Sequence, residues 1–99
     1  MIEFKNIVGF DWDEGNARKS DEKHHVSQAE AEQAFFNDPL LLLADESHSQ
    51  EETRYHAYGK TNAGRKLHIT FTFRDRNKLI RVISARDMHK KERLMYEEA

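Results

Sequence analysis

The stretch KLIRVISARDMHKKERLMY, residues 78–96, changes character half-way along. Its first half, LIRVISA, is dense in β-branched residues and reads as a strand with neighbours, while its second half has the composition of a short charged helix. Arg81, Ser84 and Arg86 fall inside or at the end of that strand. A guanidinium among apolar neighbours is costly unless it reaches solvent or an anion. Two of them in one strand therefore leave two readings: a phosphate site, or two arginines reaching out along the rim of a small sheet. Parity adds a condition. In a regular strand Leu79, Arg81 and Ile83 share one face while Ile80, Val82, Ser84 and Arg86 share the other, so the arginines meet in one site only through a bulge or a bend near the strand's end.

Working back from this strand, the chain alternates like an antiparallel meander. Leu67, Ile69, Phe71 and Phe73 line one face of a half-buried strand, with His68, Thr70, Thr72 and Arg74 opposite. A polar turn around Asp75, Arg76 and Asn77 joins it to the strand above. Before it, Arg54, His56 and Tyr58 alternate with Tyr55 and Ala57, and GKTNAG supplies the turn. Residues 54–86 thus read as three sequential antiparallel strands.

The amino-terminal half carries the helices. MIEFKNIVGFDWD offers Ile2, Phe4, Ile7, Val8, Phe10 and Trp12 as one strand, or two short ones broken near Gly9. Asp13 is placed to cap a helix through about Lys23. Its only apolar interior residue is Ala17, so the pattern predicts a solvated ridge or a surface held by something outside the chain. A second helix is predicted over 26–37, opened by a Ser27/Glu30 capping box with Val26 and Ala31 as a staple, and stopped by Asn37, Asp38 and Pro39. LLLLA, residues 40–44, reads as a buried extended segment filling the core, and the acidic run 45–52 as a loop. The expected fold class is α+β: a small antiparallel sheet, made of an N-terminal strand plus the three-strand meander, with two N-terminal helices and a short C-terminal one.

Ninety-nine residues suit a single domain spanning the whole chain. Charged residues make up 34% and the hydrophobic set 37%, so the core is thin and much of the surface charged. The near-neutral total hides a segregation: four Lys or Arg against thirteen Asp or Glu up to Thr53, then twelve against three over residues 54–93. That asymmetry implies either a basic face for a polyanion or acidic partner, or a fold whose acidic half neutralises its basic half. There is no cysteine, hence no disulfide framework or thiolate metal site. No apolar run approaches the roughly 18 residues of a membrane span, and the amino terminus lacks a signal-peptide pattern, so the expectation is a cytoplasmic protein without a membrane partner.

No metal motif, Walker sequence or glycine fingerprint is present. The six histidines are unusual for the length. His24 and His25 are adjacent, about 100° apart on a helix and poorly placed to share a metal, while His48, His56, His68 and His89 are scattered and read mostly as exposed polar side chains. Neither a metal nor another cofactor is expected. RNA cleavage needs less machinery: the 2′-hydroxyl attacks the adjacent phosphate if cations stabilise the added negative charge and some group moves protons. Arginine suits the first task and histidine the second. Arg54, Arg81 and Arg86, with His56 or His24, are the right chemical types, although a binding module without catalysis carries the same set.

The ordered pattern FDWD at 10–13, KHHVS at 23–27, an alanine-rich helix ending FxDP at 36–39, then Asp45, His48, Glu52 and Arg54, then RVISARxMxxxER with Tyr96, closely resembles the BrnT toxin family. The resemblance covers nearly the whole chain. It implies a RelE-like fold and a ribonuclease toxin of a type II toxin-antitoxin module that cuts RNA and arrests translation. It further implies neutralisation in a hetero-oligomer by a BrnA-type ribbon-helix-helix antitoxin, through which alone operator DNA is reached. The matching positions are Trp12, Lys23, His24, Arg54, Arg81, Ser84, Arg86, Glu92 and Arg93. Of these, His24, Arg54, Arg81 and Arg86 are assigned here as catalytic candidates, and Lys23, Lys60, Ser84 and Lys90 as candidates for RNA contacts. The alternative is a non-enzymatic basic module binding RNA or an acidic partner protein. Two departures stand out: His25 occupies a position where the family usually has glycine, and Ser20 and Asp21 replace an asparagine and a leucine.

Overall fold

The computed structural model describes residues 4, 6–45, 47 and 52–99. Ile2, His48 and most of the acidic loop expected at 45–52 lie outside the described residues. The alternation read at 67–73 is realised in β4 (Lys66–Arg74), which buries Leu67, Ile69 and Phe71 on one face. It pairs antiparallel with β3 (Arg54–Lys60) and with β5 (Leu79–Asp87), giving the expected meander. Two further strands enlarge it to five in the order β1-β5-β4-β3-β2.

Both additions differ from expectation. β1 (Gly9–Phe10) runs parallel to β5, so the sheet is mixed. β2 (Leu41–Asp45), predicted to fill the core, is an edge strand antiparallel to β3. It is apolar on both faces because both are covered nearby: Leu40 and Leu42 pack on the main core, and Leu41 on Tyr58, Met88 and Tyr96. Leu43 is half exposed. With α1 (Glu14–His24), α2 (Gln28–Ala34) and α3 (Lys90–Glu97), the fold is α+β. Among the described residues no helix is long and apolar enough to cross a membrane.

The first helix shows why an apolar stripe is not required. β1 covers only the start of β5, taking bonds from Val8 N to Lys78 O and from Asp11 N to Ile80 O. Farther along, α1 takes over this edge with two polar side chains one turn apart. Asn16 Nδ2 donates to Val82 O at 3.0 Å, and Ser20 Oγ accepts from Ala85 N at 2.9 Å. Both residues are buried. An edge strand's unpaired backbone groups are thus satisfied by helix side chains. Asn16 also closes the capping box with Asp13. The helix is therefore not a free ridge but docked on the sheet through its polar side, and Ser20, a departure from the family pattern, has a structural task.

At the end of α1, His25 adopts φ 56°, the left-handed cap that glycine takes at least cost. A histidine there costs on the order of 1 kcal/mol. Arg65 holds this terminus, donating to the carbonyls of His24 and His25 and pairing with Glu30 and Asp87. The Ser27/Glu30 capping box opens α2 as expected, but the helix ends at Ala34 and leaves Phe35 in a turn. Phe35 stands edge-on to Phe71 with centroids 5.2 Å apart, within a ring cluster that includes Phe4, Phe10, Tyr55 and Phe73. Gly59 lies against α2 so closely that a Cβ there would collide with Ala34 O.

Strand β5 carries the feature that positions the site. Thr70 pairs with Ser84, but the next residue of β4, Phe71, pairs with Val82, leaving Ile83 without a partner. This bulge reverses the parity of everything before it. Val82 and Ala85 both enter the core, and Arg81, Ser84 and Arg86 all fall on the opposite face.

Replacing Ser20 with Ala leaves the Ala85 N–H buried without an acceptor, which costs about 1–3 kcal/mol. Thermal denaturation is expected to show a melting temperature lower by at least about 4 °C; an unchanged value would remove Ser20 from this role.

Candidate active site

Helices α1 and α2 cover one face of the sheet and α3 covers part of the other. Among the described residues no helix covers the remainder of that second face, called the open face below, and strand register assigns its rows. His56, Thr70 and Ser84 form one row; Tyr58, His68 and Arg86 form the next; Arg81 lies opposite Thr72. Arg54, two residues before His56 on β3, lies across from Asp45 of β2. Three of the four catalytic candidates, Arg54, Arg81 and Arg86, therefore share one face with Ser84.

His24 stands elsewhere. It ends α1, with its carbonyl bound by Arg65 and its ring close enough to Asp87 to help lower that carboxyl's pKa, behind the dominant Arg65 contact. Asp87 and Arg86 leave β5 on opposite faces, so His24 and the arginine face flank the same strand end from two sides. Lys23 is exposed beside His24, Lys60 ends β3 on the open-face side, and Lys90 begins α3, exposed.

Much of the segregated charge is consumed internally. Arg81 Nη2 donates to Asp13 at 2.9 Å and its Nη1 stands 3.4 Å from Asp11. Arg74 pairs with Glu52 and Arg65 with Glu30. Arg86 makes a bidentate pair with Glu92 of α3 at 2.8 and 3.0 Å, and also donates to Asp87 O. Glu92 Oε1 accepts in turn from His89 N. These bonds, Arg86 foremost, pull the Glu92 carboxyl down to about 2. A guanidinium has five N–H donors; bonds among the described residues use three of those on Arg86, and the pair fixes its plane.

The open face holds one constellation that the residue pattern did not reveal. His68 Nε2 and His56 Nδ1 are 2.9 Å apart, His56 Nε2 stands 3.2 Å from Asp45 Oδ2, and Thr70 Oγ1 is 3.2 Å from His56 Nδ1. The His68 ring stacks on Tyr58 with centroids 4.7 Å apart and an 11° tilt, and its Nδ1 lies 3.8 Å from Glu92. Burial and then the charge of Arg86 push His68 down to about 4, so it is neutral at pH 7. His68, read as an exposed polar group, and His56, read either so or as a proton-transfer candidate, are thus partly buried and in contact. The available signal was that both alternate onto the polar faces of adjacent strands. Among the described residues no group of three or more His, Cys, Asp or Glu side chains is arranged to hold a metal ion.

A family model described as "Ribonuclease toxin, BrnT, of type II toxin-antitoxin system" matches residues 12–92. The chain belongs to the BrnT family. The family is one of ribonuclease toxins of type II toxin-antitoxin modules, and membership implies an antitoxin partner. No curated protein matches the chain. The matched span runs from Trp12, whose indole donates to Glu32 at 2.7 Å, to Glu92, and so takes in both strands that carry the candidate arginines.

The two large shifts on this face fix a pH dependence for stability. His68 is depressed to about 4 from its ordinary 6.5, so between these values the unfolded chain binds the proton and the fold does not. The stability this contributes is complete above pH 6.5 and is lost as pH falls to 4. Glu92, depressed to about 2 from 4.5, adds a second loss below pH 4.5. Denaturant titrations from pH 7.5 to 4 are expected to show falling stability, with the fall between 6.5 and 4.5 flattened in His68→Gln; an unaltered slope would contradict a neutral His68.

Proposed function

We propose that this BrnT-family protein is a metal-independent endoribonuclease that works on the open sheet face and arrests translation in the cytoplasm. The observation that carries the reading is the Ile83 bulge, which puts Arg81, Ser84 and Arg86 on one face with Arg54 on β3. Strands β3 and β5 lie two strand spacings apart, about 10 Å, a width that a phosphodiester with its flanking sugars fills. Arg81 and Arg86 hold the phosphate and stabilise the charge that develops on it, and Arg54 supports from the neighbouring strand. Ser84 lies between them. Lys23, Lys60 and Lys90 attract the RNA chain on either side. An imidazole takes the 2′-hydroxyl proton, for which His24 is the candidate by family position.

The fold follows the RelE-like plan in this reading. A BrnA-type ribbon-helix-helix antitoxin neutralises the toxin in a hetero-oligomer and alone contacts operator DNA. The alternative, a module that binds RNA or an acidic protein without chemistry, is favoured by one observation: Arg81 and Arg86 already hold carboxylates, the groups an acidic partner would present.

Purified protein incubated with RNA in EDTA is expected to generate new ends bearing 2′,3′-cyclic phosphate and 5′-hydroxyl. Arg86→Lys keeps the charge but loses the bidentate fork, and is expected to fold normally and cut about tenfold more slowly or worse. Salt-sensitive binding of RNA with no new ends would decide for the module without catalysis.

A further inference from the structure

We infer that His56 is the general base for the 2′-hydroxyl, held by Asp45 on one side and by His68 on the other. This rests on the ribonuclease reading and names the residue that moves its proton.

Proton positions in the chain of contacts follow from chemistry. The Asp45 carboxylate only accepts, so His56 Nε2, 3.2 Å away, carries the ring hydrogen. Nδ1 of His56 faces His68 Nε2 at 2.9 Å and Thr70 Oγ1 at 3.2 Å. It is an acceptor in the tautomer that puts the one ring hydrogen of neutral His68 on Nε2, the closer contact, and not on Nδ1, 3.8 Å from Glu92. His68 cannot easily swing away, because its ring is stacked on Tyr58 and only 11% of its side chain is exposed. His56 is the more open of the two, at 25%. An imidazole anchored through one nitrogen by a buried carboxylate is the usual arrangement of a general base once its second nitrogen meets the substrate; here that nitrogen rests on His68 Nε2 and Thr70 Oγ1, contacts the 2′-hydroxyl has to replace.

Its place on the sheet matters as much as its bonds. His56 shares its row with Thr70 and Ser84 and its strand face with Arg54, so its Nδ1 lies among the residues proposed to hold the phosphate. Among the described residues the charged and titratable groups around the pair are Asp45 on β2, Arg54 and Tyr58 on β3, Arg86 on β5, His89 at the cap of α3 and Glu92 on α3. His24, by contrast, lies beyond the end of β5, beside Asp87.

The step balances. His56, the more exposed ring, gives up its Nδ1 contacts with the fixed His68 and with Thr70, and the 2′-hydroxyl proton passes to Nδ1 as the O2′–P bond forms. The P–O5′ bond then breaks, leaving a 2′,3′-cyclic phosphate. The departing 5′-oxygen takes a proton from water, and His56 returns its own to solvent. Asp45 and His68 act as positioning residues that fix the tautomer and the plane of the ring.

The test is single-turnover and steady-state cleavage in EDTA by wild type, His56→Ala and Asp45→Asn, with RNA affinity measured separately. His56→Ala is expected to lose on the order of 10²- to 10⁴-fold in rate, to bind RNA within a few-fold of wild type, and to regain activity when free imidazole is added. Asp45→Asn presents an amide that can donate to the ring and favour the opposite tautomer, so it is expected to lower kcat with KM unchanged. Wild-type rates in a folded His56→Ala would overturn the inference while leaving the nuclease standing. Should His56→Ala fail to fold, as judged by its thermal transition, Asp45→Asn decides in its place, and a wild-type kcat there would overturn the inference. Absence of cleavage by the wild-type protein would remove the ribonuclease reading itself.

Discussion

Ile83 has no partner on β4, and most of what the open face can do depends on that gap. Without the extra residue, strand pairing would send Arg81 into the aromatic core beside Phe71 and Phe73, where an unpaired guanidinium would cost several kcal/mol. With it, Ile80 and Val82 supply the core while Arg81, Ser84 and Arg86 line one surface. Bulges bend strands and re-aim side chains, and here the re-aimed side chains are cations.

The same face is held open and shaped by groups that neutralise it in part. Asp11 and Asp13 grip Arg81 from the amino-terminal side, and Glu92 grips Arg86 from α3. Such pairs add little net stability where solvent reaches them, but they fix the planes of the guanidiniums, and a pre-set plane is what bidentate phosphate recognition needs. Arg65, in contrast, is a structural cation: it closes the end of α1 and ties it to β5 and α2. The acidic amino-terminal half therefore does neutralise part of the basic half, and the arginines of the open face are partnered rather than bare.

How far the sequence foretold this depends on the kind of interaction involved. The alternation of β4, the Asp13 and Ser27 caps and the meander order are local, and they read directly. The edge strand at LLLAD did not, because an unbroken apolar run lacks the periodicity that tells an edge from a core filler. Docking of α1 was hidden because Asn16 and Ser20 achieve it with hydrogen bonds instead of an apolar stripe. Parity allowed Arg81 and Arg86 to share a face only through a bulge or a bend, without saying that they do, and the place of the bulge at Ile83 is set by packing on both sides of the strand. The coupling of His56 to His68 depends on a register between strands that no single stretch encodes. Family resemblance found the arginines and His24, but gave no hint of this pair.

Everything proposed for the open face requires RNA to lie across β3, β4 and β5 on the side away from α1 and α2. Isotope-labelled protein titrated with a short RNA carrying 2′-deoxy sugars, which binds but lacks the attacking hydroxyl, reports this through backbone amide shifts. The expected changes fall on Arg54, His56, Thr70, Arg81, Ser84 and Arg86. Changes confined to α1, α2 and the aromatic cluster beneath them would contradict it.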